Sequence, residues 1–225
     1  MPRRHTLHFD DLTVQLESPS NIDERLEELL AKDPESEEVK DERIPYWADL
    51  WPSAVALAQY LADSKIITPE TKVTEIGCGL GLPGIVAGMS GAKEVCFTDY
   101  LEEALAFAKK NWALNCKHPA SFHTLDWRDP DPKHAGDLLL ASDVAYEARF
   151  FPDLPNAFQT LCKPGGTILF SEPGRDIAKP FLNSLPDLGF SVKKTFFTGK
   201  LNDIPYKVGV YEMKVITQIP NNPNA

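Results

Sequence analysis

Between Lys72 and Ser171 the chain alternates short apolar runs rich in β-branched residues with longer stretches of helical period. The runs at 72–76 (KVTEI), 94–98 (EVCFT), 120–125 (ASFHTL), 137–142 (DLLLAS) and 166–171 (GTILFS) predict strands. The segments at 83–90, 101–115, 147–161 and 176–187 predict helices between or after them. Such alternation predicts right-handed βαβ units and a parallel sheet covered on both faces. The last two runs, 189–199 and 204–216, alternate in polarity and leave no room for a crossover helix, so they should pair antiparallel. Upstream, residues 6–17 read as a hairpin or edge strand turning at Asp10-Asp11. Residues 21–31 place Ile22, Leu26, Leu29 and Leu30 on one helical face, with Asn21 or Asp23 available as a cap. A charged stretch at 33–43 reads as a mobile surface loop, and a helix is expected from Pro52 to Ala62, Pro52 suiting its first turn. The pattern predicts an α/β fold: a doubly wound, mostly parallel seven-stranded sheet ending in an antiparallel hairpin. One main domain over 45–216 is expected, with an N-terminal extension (1–44) and a flexible tail (217–225).

Composition narrows the function classes. Of 225 residues, 43% are apolar and 25% charged, and the net charge is −10, which argues against the basic surface that nucleic-acid binding requires. The four cysteines (Cys78, Cys96, Cys116, Cys162) form no CxxC pair, and no histidine stands at ligand spacing from them, so buried free thiols and no metal are expected. The N-terminus has no apolar core behind its arginines, and no run approaches the ~20 residues of a membrane span. The expected compartment is the cytoplasm.

The candidate chemistry starts at residues 73–84, VTEIGCGLGLPG. A glycine-rich turn at a strand end lets main chain approach a ligand, at the place where open α/β sheets bind cofactors. It parses two ways. Gly79, Gly81 and Gly84 spell the dinucleotide fingerprint, whereas Glu75 with Gly77, Gly79 and Gly81 spells E-x-G-x-G-x-G, which points to S-adenosylmethionine (SAM). Asp99, closing the next strand beside Tyr100, serves either parse by accepting hydrogen bonds from ribose hydroxyls, or simply caps the following helix. Glu75 and the terminal hairpin favour SAM, because a cationic methionine moiety suits a carboxylate there and NAD does not. Gly84 is then read as close packing of the helix on the sheet.

Four stretches resemble the class I, seven-β-strand SAM-dependent methyltransferases, and within them methyltransferase family 16, which contains many protein-lysine methyltransferases. These are PYWADLWPSAVALAQYL (45–61), the glycine loop, LDW (125–127) and SDVAYE (142–147). The first is most similar to the branch acting on lysines of an electron-transfer flavoprotein subunit. The resemblance implies a Rossmann-like fold with SAM held by Trp51, Glu75, Gly77, Cys78, Gly79, Gly81, Asp99, Tyr100, Asp126, Trp127 and Ser142. Asp126 and Trp127 would meet the adenine. Trp47 and Tyr60 are read as core aromatics.

Asp143 and Tyr146 match the D-x-x-Y/F signature at the substrate channel, where Asp143 would orient an incoming amine and Tyr146 would form an aromatic wall. Asp143 is alternatively a helix cap. Glu172 and Arg175, in FSEPGR, fall near the site rim without a family role. The implied function is N-methylation of a protein lysine. The competing readings are a small amine or heteroaromatic nitrogen as acceptor, an NAD-dependent oxidoreductase, and a non-catalytic SAM-binding protein.

Overall fold

The computed structural model describes residues 1–33, 35–36, 39 and 44–216; most of the charged stretch at 33–43 and the tail 217–225 lie outside the described residues. The chain opens with an antiparallel hairpin, β1 (Arg3–Phe9) and β2 (Leu12–Ser18), turning through Asp10 in the left-handed region. A short helix α1 (Ile22–Leu30) follows. Helix α2 (Pro52–Ser64) begins on the proline, behind an extended Trp51. The α/β core then runs β3 (Lys72–Ile76), α3 (Leu82–Met89), β4 (Glu94–Asp99), α4 (Glu102–Asn115), β5 (Ser121–Thr124), β6 (Gly136–Ser142), α5 (Leu154–Leu161), β7 (Cys162–Glu172), α6 (Lys179–Ser184), β8 (Phe190–Leu201) and β9 (Ile204–Val215).

The second sheet has seven strands in the order β5-β4-β3-β6-β7-β9-β8. Pairs from β5 to β7 are parallel; β7–β9 and β9–β8 are antiparallel, as the lack of room for a crossover helix required. From β3 the chain builds outward through β4 and β5, then returns to place β6 on the other side of β3. The carboxyl ends of β3, β4 and β6 therefore frame a crevice, the switch point at which such sheets bind ligands. Ile76, Phe97, Leu139, Leu140 and Ala141 on these strands are wholly buried.

Two expected helices are shortened. The segment 147–161 divides into a 3-10 turn at Ala148–Phe150 and α5, because Pro152 and Pro155 interrupt the amide ladder and Pro155 instead sits in the first turn of α5. The segment 176–187 likewise divides into a 3-10 turn, Asp176–Ala178, and the short α6 with Pro180 in its first turn. The N-terminal hairpin joins the main core through Phe9, Val14 and Leu16, and β2 packs on α3 and α4. Asn111 of α4, fully buried, secures that junction. Its amide oxygen accepts from Glu17 N at 2.8 Å, and its NH2 donates to the carbonyls of Glu17 and Leu80, both at 3.0 Å. Among the described residues no helix is long and apolar enough to cross a membrane.

Candidate active site

The crevice holds a cavity of about 470 Å³, within the size range of small-molecule and cofactor sites. Trp51, Gly77, Cys78, Gly79, Gly81, Asp99, Tyr100, Asp126, Trp127, Ser142, Asp143 and Tyr146 all line it. They come from five separate stretches, four at the ends of β3, β4, β5 and β6 and one, carrying Trp51, just before α2.

Glu75 alone of the candidates does not line the cavity. Instead of facing a cationic ligand, as its place before the glycines predicts, Glu75 is buried completely behind the glycine loop, where its Oε2 accepts from Gly84 N at 2.9 Å. Its Oε1 is buried without a partner among the described residues. Complete burial pushes its carboxyl up to about 8, against the pull of the Gly84 amide, with Asp99 nearby adding to the rise.

The glycine loop needs its glycines for two different reasons. Gly77 has φ +57°, and a Cβ there would stand 3.1 Å from the Trp127 ring and 3.2 Å from Val144, so a side chain would press into the cavity wall. Gly84 is a packing position: its Cβ would lie 2.4 Å from the Phe97 ring and 2.6 Å from Glu75 Oε2. The reading of Gly84 as close helix–sheet packing is thus correct.

Asp99 grips the same loop from β4. Its Oδ2 accepts from Gly79 N at 2.9 Å and its Oδ1 from Leu101 N at 3.1 Å. Burial pushes its carboxyl above the usual range, and the amides of Gly79, Leu101 and Tyr100 offset part of that. Unused lone pairs remain for a ribose hydroxyl. Burial also drives the Cys78 thiol well up, making it a neutral wall rather than a nucleophile. Asp126 is engaged by Arg128, which contacts both carboxylate oxygens at 2.8–2.9 Å, and the Arg128 guanidinium also lies 5.4 Å from the centre of the Tyr100 ring.

Around the mouth runs an arc of aromatic rings in edge contact: Trp51–Tyr46 at 6.1 Å, Tyr46–Tyr146 at 5.7 Å, Tyr146–Phe150 at 5.7 Å and Phe150–Trp127 at 5.2 Å. The Trp51 indole N–H donates to Tyr46 O at 2.7 Å and fixes the start of the arc. Burial, with Glu147 beside it, raises the Tyr146 hydroxyl, so it stays protonated. Tyr46 lies within the 45–61 stretch without being singled out there, and Phe150 lies outside all four stretches; only contact across the fold selects them. Trp47 is buried as expected, although it also borders the cavity, while Tyr60 packs elsewhere and donates to Glu212 at 2.8 Å.

Asp143 sits where β6 ends, at φ +61°, a left-handed conformation that aspartate tolerates better than most residues. It does not cap a helix: α5 begins eleven residues later. One oxygen is ion-paired with Arg175, and Oδ2 is buried with no partner among the described residues. Glu172, also buried, holds the loop that delivers Arg175, accepting from Gly174 N at 2.5 Å and Arg175 N at 2.8 Å. The rim placement of FSEPGR therefore has a specific content, an Arg175–Asp143 pair at the cavity wall.

The donor set fits SAM. Left-handed glycines open a cradle, an acid closes β4, an acid–tryptophan pair follows β5, and an unsatisfied carboxylate oxygen waits at the end of β6.

The fold matches solved methyltransferases. Magnesium protoporphyrin IX methyltransferase from Synechocystis PCC 6803, solved with S-adenosylhomocysteine, superposes with a TM-score of 0.55 at 15% identity, covering 86% of this chain and 94% of that one. In sequence, the electron transfer flavoprotein beta subunit lysine methyltransferase of Danio rerio is 35% identical over 132 residues, 58% of this chain and 51% of that protein. Histone-arginine methyltransferase METTL23 of Xenopus laevis is 32% identical over 150 residues, 61% of this chain and 64% of that protein. The chain spans between half and two thirds of the length of these curated relatives. Residues 38–187 match the sequence model described as lysine methyltransferase. With more than half of its length covered by that match, the chain belongs to the lysine methyltransferase family.

Proposed function

We propose that this chain transfers a methyl group from SAM to the side-chain nitrogen of a lysine in a protein substrate, and that residues 45–216 carry the activity. The observation that carries this reading is Asp143: a buried carboxylate with one unpartnered oxygen, inside an aromatic arc, in a chain of the lysine methyltransferase family. When bound, SAM supplies an electrophilic methyl carbon on a sulfonium. Gly77, Cys78, Gly79 and Gly81, which line the cavity, would cradle it, Asp99 would take ribose hydroxyls, Tyr100, Asp126 and Trp127 would border the purine, and Trp51 and Ser142 would complete the wall. Glu75 contributes from behind, by holding the Gly84 amide.

At the acceptor end two requirements conflict. A lysine must be oriented, which a carboxylate does well, yet it must also lose its proton, which a carboxylate opposes. The Arg175–Asp143 pair reconciles them. A guanidinium already resident on Asp143 offsets the carboxylate's pull on a proton, while the free Oδ2 still accepts a hydrogen bond from the amine. Tyr146 and Tyr46 flank that approach, excluding water and presenting ring faces or edges to the aliphatic stem. The four free cysteines fit a reducing compartment, and the cytoplasm is the one we assign.

The test is incubation with methyl-tritiated SAM and lysate from cells lacking the protein, followed by hydrolysis of labelled bands and amino-acid analysis. Label in methyllysine, absent with Asp143→Ala, supports the reading. Label in methylarginine or methylhistidine, or in a small-molecule fraction without any protein band, overturns the lysine assignment.

A further inference from the structure

On the face of the sheet that β5 borders, three metal-ligating side chains converge outside the cavity. Cys96 lies on β4, His123 on β5, and His134 in the 3-10 turn Pro132–His134 that leads into β6. The strand register dictates part of this: Cys96 pairs with Ser121 and Thr98 with His123, so Cys96 and His123 project from one face of adjacent parallel strands. Phe97 and Phe122, one residue along each strand, stack at 5.0 Å on the opposite face. The turn carrying His134 is anchored over the first face by the Thr74 hydroxyl, which donates to His134 O at 2.5 Å. The result is Cys96 Sγ 3.9 Å from His134 Nδ1, imidazole centroids of His123 and His134 4.4 Å apart, and one donor atom from each residue within 4.8 Å of the others.

We propose that Cys96, His123 and His134 bind one zinc ion, with the fourth position open to solvent. One sulfur and two imidazole nitrogens match the preference of zinc, and donor atoms around a tetrahedral zinc stand roughly 3.3–3.6 Å apart. Closing from the present spacing takes side-chain rotation, chiefly of His123, which is exposed. The binding step balances simply: the ion replaces the Cys96 thiol proton, which leaves to solvent, and takes a lone pair from each neutral imidazole. Spacing along the chain hid the site, since the three ligands lie on three elements and no two share a short motif.

The site's consequence is mechanical. Strand β5 is only four residues long and, among the described residues, pairs with β4 alone, while the segment between His123 and His134 carries Asp126 and Trp127 of the cavity wall. Zinc would tie both ends of that segment to β4, and so firm the wall without touching any group within the cavity.

The experiment uses the full chain, freed of any histidine tag and stripped with chelator, titrated with Co²⁺. A 1:1 complex is expected, with a thiolate-to-cobalt charge-transfer band and visible bands of tetrahedral intensity, both removed stoichiometrically by Zn²⁺. Cys96→Ser should abolish the charge-transfer band. His123→Ala, at an exposed position, should weaken binding at least ~10-fold. Circular dichroism confirms that both variants fold. No cobalt spectrum from the unmodified chain, or an unchanged spectrum and affinity in either folded variant, overturns the proposal.

Discussion

Replacing Glu75 by Gln tests the buried carboxyl directly. In the unfolded chain this group ionises at its ordinary value of 4.5, and in the folded chain burial moves it to about 8. Below the unfolded value both states hold the proton and the group imposes no penalty. Between the two values the unfolded state releases its proton first, so stability falls as pH rises and levels off only above the folded value. At about 1.4 kcal/mol per unit, the loss is of order 3 kcal/mol by pH 7 and about 5 kcal/mol in full. Glutamine keeps the carbonyl oxygen that Gly84 N needs and cannot ionise. Its NH2 inherits the partnerless position of Oε1, a position the neutral acid's own proton also faces, so the offset at low pH is small. The assay is thermal unfolding of both proteins from about pH 5 to about pH 8.5, read as the difference in Tm. Each kcal/mol corresponds to roughly 2–4 °C in a chain of this size, so the variant should gain on the parent by several degrees across the range. Asp99, raised in the same direction, adds a slope common to both proteins and drops out of the difference. Parallel Tm profiles for the two proteins would refute the reasoning, since an ionised, stably paired Glu75 gives no such divergence.

Other substitutions separate packing from binding. Gly84→Ala drives a methyl into Phe97 and Glu75 and should cost about 1–3 kcal/mol in urea unfolding. Gly77→Ala should instead lower SAM affinity by ~10-fold or more in calorimetry, because its methyl meets Trp127 and Val144 on a strained backbone. Asn111→Ala strands Glu17 N, Glu17 O and Leu80 O, and should destabilise by roughly 2–4 kcal/mol in the same unfolding measurement. Arg175→Ala removes the positive charge beside Asp143, so a lysine acceptor keeps its proton to higher pH. Its kcat/KM at neutral pH should fall by about 10-fold and the pH optimum should rise, and an unmoved optimum would contradict the role given to Arg175.

What the sequence made legible was whatever depends on neighbours along the chain. Apolar periodicity located every strand of the large sheet, and the absence of a crossover segment before residue 204 predicted the antiparallel end. Local chemistry also misled where prolines intervened, as in 147–161, whose helical period is real over only its last eight residues. Contacts made by the fold were invisible. Arg175 reaches Asp143 across 32 residues, Tyr46 reaches Tyr146 across the crevice, and Cys96 meets two histidines with no shared spacing. Each joins residues whose separation is set by the strand order β5-β4-β3-β6-β7, and no window along the chain contains that order.

The glycine loop shows how a residue can point to a ligand on a contact that the fold spends elsewhere. In the sequence, Glu75 favours SAM on the ground that a carboxylate calls for a cation in front of it. Its actual partner is the amide of Gly84, the glycine that completed the rival dinucleotide fingerprint. The two parses therefore share one contact. The acid at the end of β3 reaches beneath the turn to the first turn of α3, and only glycine at 84 leaves room, since a Cβ would stand 2.6 Å from that carboxylate oxygen. Glu75 and Gly84 form a single brace that sets where α3 begins, and hence how far Gly77–Gly81 project into the crevice. Unlike Glu75→Gln, which keeps the contact, Glu75→Ala or Gly84→Ala alone should loosen that brace, and because the two positions touch, their combined cost in a double-mutant cycle should fall well short of the sum.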